Sequence, residues 1–181
     1  MLGYASEIRM PLESLRAWLG LGPQESREPT PLGETLQALE HLEPERARIL
    51  AAFAYILGRV AHADRRVSPE ETRAMEAIVR DEGQLSTEQA AIVVKLATKS
   101  NLLFGSTADF IVARELSSLA TYEQKLSLLR CLFALSSVDN SISLAEEGEL
   151  HRIANELRID RADVVALRLA HQQHLPGRST P

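Results

Sequence analysis

The sequence has little cysteine, few aromatic residues and no long apolar run. Its only cysteine, Cys131, excludes an internal disulfide and any zinc site built from cysteine pairs. The longest apolar run, from Ile49 to Leu57, is far shorter than the roughly 20 residues of a membrane-spanning helix. Because aromatic residues make up only 4% of the chain, smaller aliphatic residues must fill the core, which favours helices over a β-sandwich.

The charge of the chain is slightly acidic and evenly spread. It has 20 basic and 25 acidic residues, a net charge of −5, and no cluster of lysine and arginine, so we expect no nucleic-acid partner. The first residues lack the pattern of a signal peptide, and we therefore expect a cytoplasmic protein. The length of 181 residues predicts a single compact domain. We place it at residues 44–175, after an extension of short helices and a linker (1–43) and before a disordered tail (176–181).

Helix-capping signals recur along the chain and predict an all-α fold. About seven helices are expected after residue 44, without any strand, and a short helix should begin at Thr30-Pro31 in the extension. Gly83 is predicted to follow the end of its helix as the left-handed residue. A serine or threonine stands three positions before a glutamate or glutamine in four predicted capping boxes: Ser68–Glu71, Ser86–Gln89, Thr121–Gln124 and Ser143–Glu146.

One helix–turn–helix element occurs twice, at a shift of 75 positions. Asp64 aligns with Asp139 and Glu71 with Glu146, and in both copies an aliphatic residue and a serine stand between the two acids. Each copy alone would leave an apolar face uncovered, so we expect the two repeats to pack as a pseudo-symmetric pair.

The repeated acids have two explanations, and both stay open. They can be helix architecture, since a carboxylate at the third helical position reaches back to the capping amide and suits the helix dipole. Alternatively they can bind a cation, because an aspartate followed seven residues later by a glutamate matches the second half of a calcium-binding EF-hand loop. Neither loop alone offers a full oxygen shell, so a cation site would combine the carboxylates of Asp64, Glu71, Asp139 and Glu146.

The pattern Asp64-x-x-Val67-Ser68-x-x-Glu71, repeated from Asp139 to Glu146, resembles the TerB family of tellurite-resistance proteins. It is also similar to the N-terminal domain of the DjlA co-chaperone, and the resemblance covers about residues 44–174. It implies an all-α fold of about seven helices with twofold pseudosymmetry. It also implies a role in bacterial stress or tellurite response through protein assemblies, with the four acids as the metal-binding positions. The family commonly has glycine after the turn aspartate, where this chain has Arg65 and Asn140.

No motif of an enzyme appears in the sequence: it has neither a nucleophile elbow nor a phosphate-binding loop. We therefore expect a non-enzymatic module that acts on an unknown protein partner. No cofactor is required, and calcium, magnesium or manganese is the candidate ligand. The alternative is a dedicated divalent-metal sensor or buffer. The predicted helix from Pro11 to Leu19 could dock onto the domain, contact a partner or touch a membrane surface, and no other membrane contact is expected.

Overall fold

The computed structural model describes residues 31–61, 68–99, 106–137 and 142–173. These residues contain helices and no strand, which confirms the all-α fold class and the seven helices expected after residue 44. The eight helices are α1 (Pro31–Glu40), α2 (Pro44–Ala61), α3 (Pro69–Gly83), α4 (Thr87–Lys99), α5 (Ser106–Leu119), α6 (Tyr122–Ser136), α7 (Leu144–Glu156) and α8 (Arg161–Gln173).

Helix α2 lies in the middle of the core. All its residues from Ala47 to Leu57 are buried, because this stretch is apolar on every side apart from Arg48. The helix packs against α1, α4, α5, α6 and α7. Any polar side chain on its inner faces must therefore find its partners within the protein. None of the helices in the described ranges is long and apolar enough to span a membrane.

All four predicted capping boxes are formed. The hydroxyl of Ser68 accepts from the Glu71 amide at 3.1 Å, and the Glu71 carboxylate accepts from the Ser68 amide at 2.6 Å. The second repeat has the same arrangement, with 3.2 Å and 2.8 Å between Ser143 and Glu146. The Ser86–Gln89 and Thr121–Gln124 pairs make the same two reciprocal contacts. These local hydrogen bonds explain why the beginnings of the helices lie where the sequence predicts them.

The end of α3 differs from the prediction. Gly83 is the last helical residue, and the left-handed residue is Gln84, with φ 52° and ψ 40°. Gly83 is buried where α3 meets α6, and a Cβ atom there would lie 3.2 Å from Cys131 Sγ and 3.4 Å from Phe53 Cζ. Glycine is therefore needed at this position for the close approach of two helices rather than for backbone freedom.

Helix α1 packs onto the domain although it belongs to the predicted extension. It contacts α4 and α2, and Leu36 and Leu39 are part of the hydrophobic core. The predicted helix at 11–19 and the tail at 176–181 lie outside the described residues. The two repeats contact each other through α3 with α6 and through α2 with α7. Their pseudo-symmetric packing stays a prediction.

Candidate functional site

The two predicted acidic corners are alike where the structure describes them. Ser68 and Ser143 have nearly equal backbone angles (φ −71°, ψ 163° and φ −67°, ψ 158°), and each begins its helix with a reciprocal capping box. The hydrogen bond from the Ser68 amide lowers the pKa of the Glu71 carboxyl, and the Ser68 hydroxyl adds to this effect. Glu71 is therefore a stable carboxylate at neutral pH, and its role as a helix cap is confirmed.

The cation site predicted from these corners is only partly described. Asp64 and Asp139 lie outside the described residues, so the structure places only Glu71 and Glu146. Each of these two glutamates caps its helix through Oε2, and its Oε1 makes no hydrogen bond or ion pair with another residue in the described ranges. Carboxylate oxygens are the ligands that calcium, magnesium and manganese prefer, so the donor chemistry fits. Among the described residues alone, no group of three or more metal-ligating side chains comes together. The four-carboxylate site stays a prediction.

A charged cluster that the sequence analysis missed joins α2, α5 and α7. The Arg59 guanidinium is only 3% exposed. Its Nη2 lies 2.6 Å from Glu149 Oε1, its Nη1 lies 2.8 Å from Glu156 Oε2, and its Nε lies 3.8 Å from Asp109 Oδ1. The Tyr55 hydroxyl donates to the same Asp109 oxygen at 2.8 Å. One buried cation thus holds three carboxylates from two other helices, and this ties the second repeat to the first.

One sequence signal could have revealed this cluster. Tyr55 and Arg59 stand one turn apart on α2, the helix that contains the longest apolar run of the sequence, so both polar groups face the inside. Buried charges are almost always paired, which means that an arginine on such a helix predicts carboxylate partners elsewhere. Glu149 and Glu156, seven residues apart, lie on one face of α7 and supply them. Because these glutamates are far from Arg59 in the sequence, no local sequence pattern could predict which carboxylates pair with it.

The single cysteine lies in the hydrophobic core. Cys131 is buried in α6, with its Sγ 3.9 Å from the Ile78 carbonyl oxygen. Burial raises the pKa of the Cys131 thiol far above its ordinary value, and the charge of Glu82 raises it further. Because the thiolate is the reactive form, this side chain is a small core residue rather than a nucleophile.

Several large apolar side chains remain at the surface. Leu144 is 88% exposed at the beginning of α7, and Phe110 is 60% exposed on α5. Val165 and Leu169 are also exposed, and they stand one turn apart on the same side of α8. Single exposed apolar residues are ordinary, whereas neighbouring ones mark a surface suited to contact with another protein.

Comparison with protein families shows which family the chain resembles. The family model described as "Tellurite resistance protein TerB" matches residues 49–169, which is about two thirds of the chain. No curated protein and no solved structure matches significantly. The matched range begins within α2 and ends within α8, and it includes both acidic corners and the Arg59 cluster.

Proposed function

The chain belongs to the TerB family, and from this premise we propose that it is a non-enzymatic helical module of the tellurite-resistance type. It acts by binding another protein, and its two acidic corners bind a divalent cation. The observation that carries the cation part is the matching construction of the two corners, each with a glutamate that accepts from the capping serine amide at the beginning of a helix. The exposed apolar side chains of α5, α7 and α8 support the contact with a partner.

The acids serve the helix caps in any case, so a test must separate capping from cation binding. The chain itself offers the means, because its two other capping boxes have glutamine in the same position, as Gln89 and Gln124. Replacing Glu71 and Glu146 by glutamine should therefore keep both caps while removing both charges. The double substitution Glu70→Gln/Glu88→Gln serves as the control, because it also removes two charges, one from the first turn of α3 and one from the first turn of α4, at positions that do not form capping boxes.

The measurement is isothermal titration calorimetry of the full chain with calcium, magnesium and manganese chloride. We expect binding to the parent chain and to the control variant, and a loss of at least about tenfold in affinity for Glu71→Gln/Glu146→Gln. Absence of binding at millimolar metal would contradict the cation part of the proposal. Thermal melting of both variants without metal should remain cooperative, with only a small decrease in melting temperature for Glu71→Gln/Glu146→Gln, because glutamine keeps the capping hydrogen bonds and only the charge is lost.

The same titration separates the module from a dedicated metal sensor or buffer. A sensor should bind below about 10 µM and change its shape on binding. The interaction module should bind more weakly and keep its helical structure and hydrodynamic radius. Tight binding with a measurable conformational change would favour the sensor, for which the supporting observation is that Glu71 and Glu146 each make their capping bond through Oε2 alone.

A further inference from the structure

A groove of about 520 Å³ lies between α5 and the end of α7. Phe110 and Ala113 give it an apolar side, and Ser117 and Asn155 add hydrogen-bonding groups. Its charged lining residues are Arg114, Glu156 and Arg158. The groove therefore combines an exposed aromatic ring with more positive than negative charge, in a protein whose net charge is −5.

The positive charges of the groove have no acidic partners in the described part of the chain. Glu156, the one acid of the lining, is already paired with Arg59. Arg114 and Arg158 make no ion pair with any described residue. Lys125 adds a third cation beside them, since its Nζ donates to Ser117 Oγ at 3.2 Å. Burial lowers the pKa of Lys125, and the positive charge of Arg158 lowers it further, which shows how close these cations lie.

The backbone at Arg158 is unusual for its residue type. Arg158 has φ 57°, a left-handed conformation in which glycine is the common residue after a helix. Its amide donates to the Asn155 carbonyl at 3.0 Å, and the Ile159 amide donates to the Ala154 carbonyl at 2.9 Å, which completes the helix end. A side chain in this conformation costs on the order of 1 kcal/mol relative to glycine, so arginine at this position lowers the stability of the fold.

We propose that this groove binds an acidic segment of a partner protein that also carries apolar side chains. Carboxylates of the segment pair with Arg114 and Arg158, and an apolar side chain packs against Phe110. A short peptide fits better than a long polyanion, because the overall negative charge of the chain repels extended nucleic acid or anionic membrane. The inference rests on the proposed partner-binding function and names the surface and the chemistry of the partner.

The probe is the peptide EELEEL, blocked at both ends, titrated into the full chain. Calorimetry gives the affinity, and amide chemical shifts of the isotope-labelled protein give the location. We expect a dissociation constant below about 1 mM and shifts concentrated on α5 and the end of α7. The neutral peptide QQLQQL should bind at least about tenfold more weakly, because it cannot form charge-assisted hydrogen bonds. Added salt should weaken the binding of EELEEL.

Two groove variants and one control locate the effect. Arg114→Glu reverses one charge, and Arg158→Asn removes another with a residue that tolerates the left-handed backbone. Each should reduce the affinity for EELEEL by about tenfold. Arg73→Glu makes the same charge reversal at an exposed site on α3, outside the groove, and should change the affinity by less than about twofold.

Five results would overturn the proposal that this groove binds an acidic segment. The first is no binding of EELEEL, and the second is an equal effect of Arg114→Glu and Arg73→Glu. The third is that the protein does not bind EELEEL but binds phosphatidylserine vesicles, and that Arg114→Glu abolishes the vesicle binding. The fourth is a dimer in sedimentation that Arg114→Glu dissociates, because a second copy would then occupy the groove. The fifth is a set of peptide-induced chemical shift changes at Val165 and Leu169 instead of α5 and α7, which would refute the groove as the binding site but not the partner-binding function. The metal titration is independent of all these outcomes.

Discussion

Replacing Arg59 by methionine tests whether the buried charged cluster holds the helices together. Methionine keeps the unbranched stem and removes the guanidinium. The Asp109 carboxylate then still accepts a hydrogen bond from the Tyr55 hydroxyl, whereas the Glu156 carboxylate loses its only ion-pair partner in the described part of the chain. Breaking a buried ion pair from one side typically costs 3–5 kcal/mol, and the carboxylates here are 12% to 20% exposed. We therefore expect a loss near the lower limit, about 3 kcal/mol of unfolding free energy.

A matched control is available on the same glutamate. Arg152 also contacts Glu149, but its side chain is 59% exposed. Arg152→Met should cost less than about 1 kcal/mol, because exposed ion pairs contribute little. Adding Glu156→Leu to Arg59→Met should restore a large part of the loss, since it removes the carboxylate left without a partner.

The assay is urea unfolding followed by the helical circular dichroism signal. The midpoint should fall for Arg59→Met while the dependence on urea stays unchanged, which is the behaviour of a stability change without loss of cooperativity. If Arg59→Met and Arg152→Met have equal effects, burial of the cluster has no energetic consequence and the argument fails.

Two further predictions concern a helix contact and a helix cap. Gly83→Ala should destabilise the protein by about 1 kcal/mol, because the buried Cys131 sulfur at 3.2 Å and the Phe53 ring at 3.4 Å would have to move to admit a methyl group. The destabilisation should shrink or reverse in a Cys131→Ala background. The control Gly148→Ala, with nothing within 4 Å of the new methyl, should stabilise the protein by up to about 1 kcal/mol. A stabilising Gly83→Ala in the parent would refute the packing argument. The pKa of the Glu71 carboxyl is lowered from 4.5 in the folded state, so its contribution is fully present above that value and is lost as the pH falls through the lower folded pKa. Glu71→Gln should therefore reduce the loss of thermal stability on acidification, measured by melting from about pH 6 to about pH 3, and identical pH profiles would contradict this.

The parts of the structure that the sequence predicted correctly are those that local chemistry decides. A serine at position 68 and a glutamate at 71 make their reciprocal bonds within one turn of helix, so no knowledge of the rest of the fold is needed. The role of Gly83 was predicted wrongly because its neighbour Cys131 comes from a distant helix. A glycine at the end of a helix satisfies the pattern of a left-handed residue equally well, and only the packing of α3 on α6 distinguishes the two roles.

The Arg59 cluster was missed for a related reason. The internal repeat directs attention to residues that match between the two copies, and Arg59 aligns with Ala134 in the second copy. Glu149 likewise aligns with Ala74 in the first. The ion pairs between the repeats therefore depend on Arg59, which stands at a position where the two copies differ. The sequence predicted the functional site at Asp64 and Asp139 because these aspartates match between the two copies of the repeat.

Glu156 connects this asymmetric cluster with the groove between α5 and α7. It lines the groove, yet its carboxylate pairs with Arg59 on the inner side. Because Arg59 already neutralises the Glu156 carboxylate, this acid adds no net negative charge to the groove. Arg59 thus has two consequences: it fixes α7 against α2, and it leaves the groove cations without an acid of their own. A local positive site in a protein of net charge −5 depends on such an arrangement, because the surrounding carboxylates would otherwise cancel it.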